Sequence, residues 1–488
     1  MNESPIMEVQ NIGHLGLIAS IAKKYKFVEK IDRLLPKKGH NQKLSHGNVV
    51  LAMIYQGLGL SFEKNYLAEK FFNNLPLEKL FCPGVVASDF KKDTYARTLD
   101  AIHQYGPTKF FMDTGFNILM VNNLLSKFAH LDTTSLSFGN KKIKDNGLIK
   151  ITHGHSKNHR HDLPQLVQLL ITTHDGLPFW SESFSGNVSD KEIFEKAIVD
   201  VQRHLRKSTV IHDFIYIADS ALYTQAFLLN KEISGNWITR VPESILKARE
   251  KIERNYDKIL WNKVDNDYKI MEIMETYGGV TQRWILVRHR KSKYKELATF
   301  NRNLVKQEEN INKILGQLHK RVFYSKEEIS LRIQILKEKF KCYIFDKKIR
   351  GHYKGQRDLK RKVLVGYQVE ISYKKNDHVI KKMENKKGKF ILATNILEDK
   401  GLSAKEILTA YRNQNKNIES CFKFIKDKTF KLSTISQTRP DRIEAMLPVI
   451  SLILLLNNLG KMDLQEELAR KNSTIPNQIG KEIKNPTL

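Results

Sequence analysis

Three carboxylates on separate predicted elements carry the main chemical signal of this sequence. Asp132 lies inside a predicted strand, between Leu131 and Thr133, where a charge is costly unless it is exposed, paired or bound to a cation. Asp219 ends a second, nearly continuous apolar strand, and Glu419 lies on the polar face of a predicted helix. Carboxylates that converge in this way bind two divalent cations, which activate a water or a hydroxyl for in-line phosphoryl transfer. Oxygen ligands favour Mg²⁺, and Mn²⁺ is expected to substitute.

The helix that carries Glu419 is predicted over Ala410–Lys428 and is amphipathic. Its polar face holds Arg412, Asn415, Lys416, Glu419, Lys423 and Lys426, and a neighbouring apolar stripe holds Ile407, Tyr411, Ile418, Phe422 and Ile425. The cations around Glu419, among them Arg412, Lys416 and Lys423, suit DNA phosphates. The alternative is a solvated helix with a Glu–Lys pair four residues apart. The two upstream aspartates favour the first interpretation.

The charge balance indicates a polyanionic partner. The 488 residues include 82 Lys and Arg against 53 Asp and Glu, a formal net charge of +29. Nucleic acid is the commonest partner of so basic a chain. A membrane surface is the alternative, but no anchoring helix stands beside a polybasic run. The longest apolar run, Ala445–Leu456, contains Pro448 and is too short to span a bilayer, so it predicts a buried helix.

Other composition features favour a cytoplasmic protein. The N-terminal residues show no basic region followed by an apolar stretch, so no signal peptide is expected. The three cysteines, Cys82, Cys342 and Cys421, are scattered and odd in number. They predict neither a disulfide framework nor a zinc site.

Two of the carboxylates lie in segment 126–245, where the element order is informative. FAHLDTTSLSFG, QLVQLLITTH and PFWSESFSG predict an antiparallel meander of three strands. A helix that Asp190 caps, a strand ending at Asp219, a helix and the strand NWITRVP follow. This order matches the RNase H-like topology, which places carboxylates in the middle of its first strand and at the end of its fourth. We therefore predict an α/β fold with an RNase H-like core, a mixed five-stranded sheet flanked by helices.

The remaining segments complete the predicted domain organisation. Residues 1–125 are mostly helical and form either a DNA-binding or dimerisation region or a packing domain. Residues 246–386, dense in lysine, predict an α+β insertion rather than more of the sheet. The core resumes over 387–470 with a strand, the helix of Glu419 and a buried helix, and 471–488 predict a loose tail.

Several ordered blocks together resemble the DDE transposases of bacterial insertion sequences. HLDTTSLSF resembles their first-aspartate block and IADSALYT their second. The stretch from Tyr411 to Lys426 resembles their Tyr–Arg–Glu–Lys signature, with Glu419 and Lys426 at the signature's spacing. Tyr411 stands one residue further from Glu419 than in that signature, and Asn415 stands at its arginine position, with Arg412 or Lys416 as the candidate replacement.

The resemblance covers roughly 126–460 and implies a transposase with a β-strand insertion domain. It implies that Asp132, Asp219 and Glu419 bind the metal ions and that Lys426 joins them in catalysis. The expected partners are double-stranded DNA, as terminal inverted repeats and as target, and a second copy of the chain in a synaptic homodimer. A hairpin intermediate is also implied. The rival interpretations are a metal-dependent nuclease of the same fold and a catalytically silent DNA-binding derivative.

A second group of residues is predicted to act on DNA or to be structural. His153, His155, His159 and His161 form a dense cluster, which we interpret as part of a basic phosphate-binding loop rather than a zinc site, because no cysteine or glutamate lies nearby. Lys157 and Arg160 belong to the same loop. Trp237 could stack on a base or lie in the core. Asp162 is expected to hold Arg160 or to cap a turn, with a fourth carboxylate of the site as the alternative. Asp190 is expected to cap a helix rather than to act as a ligand.

Overall fold

The computed structural model describes residues 12–35, 43–58, 68–139, 149–157, 160–207, 212–256, 260–355, 362–397, 401–426, 439–477 and 479–486. It is a mixed α/β structure built on one large sheet. The N-terminal region is helical, as predicted. Its helices are α1 (Leu15–Lys24), α2 (Phe27–Leu34), α3 (His46–Leu58), α4 (Ala68–Phe72), α5 (Leu77–Leu80), α6 (Lys92–Tyr105), α7 (Pro107–Phe111) and α8 (Asn117–Val121).

The remaining helices lie between and after the strands. They are α9 (Asp190–Lys207), α10 (Gln225–Leu229), α11 (Leu246–Glu253), α12 (Arg290–Lys320), α13 (Lys326–Lys339), α14 (Asp377–Lys386), α15 (Ala404–Lys426) and α16 (Pro440–Arg470). The helix predicted over Ala410–Lys428 is therefore α15, which begins six residues earlier; residues 427 and 428 lie outside the described residues. Ser403 explains the earlier start, because its hydroxyl accepts a hydrogen bond from the Glu406 amide and the Glu406 carboxylate accepts one from the Ser403 amide.

Nine strands form the main sheet in the order β3-β2-β1-β4-β5-β11-β8-β7-β6. Their bounds are β1 (Phe128–Ser137), β2 (Gln165–Thr172), β3 (Pro178–Ser185), β4 (Ile215–Ala218), β5 (Asn236–Arg240), β6 (Asn262–Lys263), β7 (Tyr268–Tyr277), β8 (Val280–His289) and β11 (Lys389–Thr394). The predicted meander is observed as β1, β2 and β3, which pair antiparallel. Strands β1, β4 and β5 run parallel to one another, and β11 pairs antiparallel with both β5 and β8.

The sheet is larger than the five strands predicted from the sequence. Strands β6, β7 and β8 belong to it, although residues 246–386 were expected to lie outside it. The physical reason is the β11 strand, whose last four residues are buried and whose two edges both need hydrogen-bonding partners. β5 satisfies one edge, and the apolar β8 strand satisfies the other.

Residues 290–386 form a separate helix–ribbon module. It consists of α12, α13, α14 and a two-stranded antiparallel ribbon, β9 (Tyr343–Gly355) and β10 (Lys362–Lys375). The module has its own apolar cluster, which includes Ile311, Phe323, Ile333 and Phe345. It contains 27 Lys and Arg against 11 Asp and Glu, a net +16 of the total +29. More than half of the chain's excess positive charge is therefore concentrated in this module.

One continuous core joins the N-terminal helices to the sheet. It includes buried residues of α3 and α6, the inner face of the β1–β3 meander and most of α16. Among the described residues, α16 is the one helix long and apolar enough to cross a membrane, but 83% of its most apolar 18-residue window is buried inside the protein. Its burial is that of a core helix, as the run Ala445–Leu456 predicted.

The C-terminal residues 471–488 were expected to be loose, but their described part forms a hairpin. Strands β12 (Ile475–Pro476) and β13 (Glu482–Ile483) pair antiparallel. The Asn477 side chain accepts hydrogen bonds from the amides of Ile479 and Lys481 and so closes the turn.

Candidate functional site

The register of two parallel strands sets Asp132 beside Asp219. His130 of β1 is paired with Ile217 of β4, and each aspartate lies two residues further along its strand direction. Because side chains alternate across a strand, Asp219 points to the same face as Ile217. Ile217 packs in the cluster that contains residues of α15. The two aspartates, 87 positions apart in the sequence, therefore meet on the face that α15 covers.

The Asp132 carboxyl lies in a strongly perturbed environment. Burial raises its pKa to about 6; the Asp219 and Asp190 carboxylates add to the increase, while Lys157 and the Thr133 amide oppose it. The Thr133 amide donates to Asp132 Oδ1 at 2.7 Å. A carboxyl group that is hard to ionise because it is buried beside other carboxylates is the kind of group that a cation stabilises.

Asp219 is held by the loop that follows β4. The Ala221 amide donates to Asp219 Oδ1 at 2.8 Å, and the Thr239 hydroxyl of β5 donates to the Asp219 carbonyl at 2.6 Å. These contacts orient the residue at the C-terminal end of its strand. The end of a parallel strand is a common position for functional side chains in α/β sheets.

A third carboxylate reaches the pair from α9. Asp190 is the first residue of that helix, and its Oδ1 accepts a hydrogen bond from the Thr133 hydroxyl at 2.6 Å. Lys157 lies 3.0 Å from Asp190 Oδ2 and 3.6 Å from Asp132 Oδ1. Sequence reasoning assigned Asp190 only a capping role and Thr133 none. The segment GNVSD, in which Asp190 follows a turn, was the available signal.

Lys157 was predicted to contact DNA, but the structure places it beside Asp132 and Asp190. Its ammonium group faces carboxylates instead of the protein surface, and it also donates to the Thr133 carbonyl at 2.9 Å and to the Thr133 hydroxyl at 2.6 Å. Burial lowers its pKa, but Asp132, Asp190 and Asp219 outweigh that effect and hold the pKa above its usual value. Lys157 is therefore charged and is part of the acidic cluster.

Helix α15 lies across the sheet face that bears the aspartates. The buried Gln414 side chain donates to the Leu131 carbonyl of β1 at 3.0 Å. Burial raises the pKa of Tyr411 to about 12, and Asp219 and Asp132 act in the same direction. Burial and the Lys157 ammonium lower the pKa of Lys426, against the opposing influence of Asp132. Tyr411 and Lys426 thus both lie within electrostatic reach of Asp132, although they are fifteen residues apart on α15.

Glu419 lies on the polar face of α15, beside Lys426, but does not join the aspartates. At about 100° per residue, Glu419 stands about 20° from Lys426 and about 80° from Tyr411 around the helix axis. Its side chain is exposed. Among the residues that the structure describes, no three His, Cys, Asp or Glu side chains are grouped closely enough to hold a metal ion. The predicted cluster of three carboxylates is therefore present as an aspartate pair with Glu419 on the overlying helix.

The predicted DNA-contacting cations of α15 fall into three cases. Arg412 is paired with Asp265 at 3.0 Å, and its guanidinium lies 4.2 Å from the centre of the Tyr268 ring. Arg412 therefore contacts strand β7 and the turn before it. Lys423 is exposed and accessible to a phosphate. The side chain of Lys416 lies outside the described residues.

Arg160 and Trp237 are engaged by the protein itself. Arg160 forms a bidentate pair with Asp162, with nitrogen–oxygen distances of 2.9 and 2.8 Å, which agrees with the role expected for Asp162. Trp237 is 5% exposed and packs edge-on against Tyr223 and Phe227. The proposed stacking of Trp237 on a base is wrong for this arrangement, because the ring is enclosed in the core on β5.

Of the four clustered histidines, His159 lies outside the described residues. His153 Nδ1 lies 3.3 Å from the His161 carbonyl, and the rings of His155 and His161 are 6.3 Å apart. No metal-binding group was found among the described residues of this loop.

The comparison with known proteins concerns the N-terminal helices. A family model described as a domain of unknown function (DUF4277) matches residues 7–114. The matched segment ends before β1, so Asp132, Asp190, Asp219 and Glu419 all lie outside it. No curated protein matches the chain.

Proposed function

We propose that this protein is the DNA transposase of an insertion sequence, which binds the element's terminal inverted repeats and catalyses metal-dependent strand cleavage and strand transfer. The observation that carries the proposal is the parallel register of β1 and β4, which sets Asp132 beside Asp219 beneath α15. The order β3-β2-β1-β4-β5, with β1, β4 and β5 parallel, supports an RNase H-like core. The helix–ribbon module would then be the main part of the insertion.

The aspartate pair would supply two of the three carboxylate ligands that we propose for a divalent cation, although no three such side chains are grouped closely among the described residues. Burial raises the pKa of Asp132, the neighbouring carboxylates of Asp219 and Asp190 add to the increase, and a bound cation would offset the cost of ionising the group. Asp132 and Asp219 would hold the ions, which we expect to be Mg²⁺ or Mn²⁺ and two in number, with Glu419 as the third ligand from α15. Bound there, such ions activate the attacking oxygen and stabilise the leaving oxygen of a phosphodiester. Lys426, on the same polar face of α15 as Glu419, would bind a phosphate beside the reacting one.

The charge distribution supports DNA as the partner. The helix–ribbon module carries a net +16, and Lys423 is exposed beside Glu419. Basic surfaces of this kind neutralise phosphates and release counterions. Two element ends must be joined in one reaction, so we propose a homodimer on DNA and a cytoplasmic location at the nucleoid.

The test is strand transfer by the full-length protein on labelled DNA that carries the inverted repeats flanking the gene, with Mg²⁺ or Mn²⁺. We expect metal-dependent joining that Asp132→Asn, Asp219→Asn and Glu419→Gln each reduce at least about a thousandfold, since each removes a charge that the transition state needs. Glu232→Gln is the matched control, because Glu232 is exposed and lies on the loop after α10. All four variants should bind the DNA end.

Two results would contradict the proposal in different ways. Metal-dependent cleavage that never joins a 3′-end to target DNA would identify a nuclease of the same fold. A second candidate, a transposase-derived DNA-binding protein, is favoured by the exposed position of Glu419 away from the aspartates. Specific end binding with neither cleavage nor joining in either metal would support that candidate.

A further inference from the structure

The ammonium group of Lys157 occupies the centre of the acidic cluster. Its Nζ lies 3.0 Å from Asp190 Oδ2, 3.6 Å from Asp132 Oδ1 and 2.6 Å from the Thr133 hydroxyl. The Thr133 hydroxyl in turn donates to Asp190 Oδ1 at 2.6 Å. Every donor in this network has an acceptor, so its hydrogen bonds are satisfied within the protein.

The backbone around Lys157 holds its side chain in this position. The Lys157 amide lies 3.4 Å from the Ser135 hydroxyl of β1, and Thr152, five residues earlier, pairs with Gln165 at the start of β2. The side chain of Lys157 is 29% exposed, and those of Asp132 and Asp190 are 25% exposed. Unlike a surface ion pair, which solvent screens, this pair is largely withdrawn from water and its electrostatic interaction is stronger.

We propose that Lys157 is a built-in counter-cation, which holds Asp132 and Asp190 together in the metal-free protein and competes with a divalent cation for the acidic cluster. The inference deepens the proposed function and rests on it. A divalent cation approaches a carboxylate oxygen to about 2.1 Å. Lys157 Nζ already lies 3.6 Å from Asp132 Oδ1, so the two cations would lie beside one carboxylate and repel each other. The flexible lysine stem allows the ammonium to withdraw, at the cost of its contacts with Asp190 and Thr133.

The test is Mn²⁺ binding to the full-length protein, measured from free Mn²⁺ by electron paramagnetic resonance. Lys157→Met keeps the length of the stem and removes the charge. We expect it to bind Mn²⁺ roughly tenfold more tightly than the native protein, because the competing cation is gone. Without metal the same variant should unfold at a lower temperature, and Mn²⁺ should restore more of its stability than in the native protein.

Two further variants separate charge from packing. Lys157→Arg keeps a positive charge and should bind Mn²⁺ about as the native protein does. Lys196→Met is the matched control, since Lys196 also bridges two carboxylates, those of Glu182 and Asp200, but on the outer side of α9. It should leave Mn²⁺ affinity unchanged.

The outcomes distinguish this inference from the proposed function. If the native protein binds Mn²⁺ and Asp132→Asn abolishes that binding, the metal site stands; unchanged or weaker binding by Lys157→Met then overturns the counter-cation alone. Equal tightening in Lys157→Met and Lys157→Arg would also overturn it, because charge would not be the cause. No binding by the native protein, with or without the DNA end, would overturn the metal site and the counter-cation together.

Discussion

Asp132 is a largely buried carboxyl group with several charged neighbours. It lies in the middle of β1, with one carboxylate directly after β4, a second on α9 and one lysine to balance them. Its pKa of about 6 shows that Lys157 does not fully compensate for the burial and the two like charges. A metal-free protein therefore carries an unfavourable charge at this position near neutral pH.

The raised pKa of Asp132 predicts a pH-dependent stability difference. Because the folded state binds the proton more tightly than the unfolded state, this group stabilises the fold below about pH 4 and loses that contribution as the pH rises to about 6. Asp132→Asn lacks this loss. In chelator-containing buffer, its free energy of unfolding relative to the native protein should increase across this range, by at most about 3 kcal/mol. Denaturant unfolding at pH 4 and at pH 7 measures it, and a difference that is the same at both values would contradict the prediction.

At the scale of elements, α15 has one side packed on the sheet and one side exposed to solvent. Its buried side includes Gln414, which is hydrogen-bonded to β1, and Ile418. Its exposed side carries Glu419 and Lys423. One helix thus packs over the sheet face of the aspartate pair with one side and exposes charged side chains on the other, so substitutions on the two sides should have different effects.

Gln414→Leu and Lys423→Gln test this division. Gln414→Leu leaves the Leu131 carbonyl without its side-chain donor and should lower the free energy of unfolding by about 1–3 kcal/mol. It should also reduce strand transfer, because α15 no longer holds its position over Asp132. Lys423→Gln, on the exposed side, should leave stability within about 0.5 kcal/mol of the native value and weaken DNA binding. Thermal unfolding and DNA titration of both variants provide the comparison; equal stability losses would contradict it.

At the scale of the whole molecule, the described residues form three apolar clusters. One joins the N-terminal helices, one face of the sheet and α16, and a second lies between the other face of the sheet and the start of α15. The helix–ribbon module has its own cluster. The N-terminal region therefore packs as part of the body that carries the acidic site. The module carries a net charge of +16, which suits an electrostatic contact to a long polyanion.

The module predicts how DNA affinity depends on salt. Lys348 and Lys354 are exposed on β9, and each phosphate contact contributes about 0.9 to the slope of log affinity against log salt concentration. The double variant Lys348→Gln/Lys354→Gln should therefore reduce the magnitude of that slope by about 2 on both specific and unrelated DNA. Lys471→Gln, near the C-terminal end of α16, is the control and should leave the slope unchanged. An unaltered slope in the double variant would exclude these two lysines from the DNA contact.

The sequence by itself determined the elements and the two strand aspartates. Period-two alternation and apolar runs are local properties, so the meander β1–β3, the apolar strand β4 and the helix α15 could be predicted from them. The position of Asp132 inside one strand and Asp219 after another followed directly. The parallel pairing of these strands came from the element order, which restricts the possible topologies.

The tertiary structure decided which partner each polar side chain meets. Lys157 and Asp190 are distant in the sequence, and their contact depends on how a loop folds against β1. Trp237 is buried because α10 and the loop before it cover β5, and no local pattern reports that cover. The length of the sheet depended on β8, which β11 required as a partner for its second edge. These are contacts between distant segments, and their free energies arise only once the chain is packed.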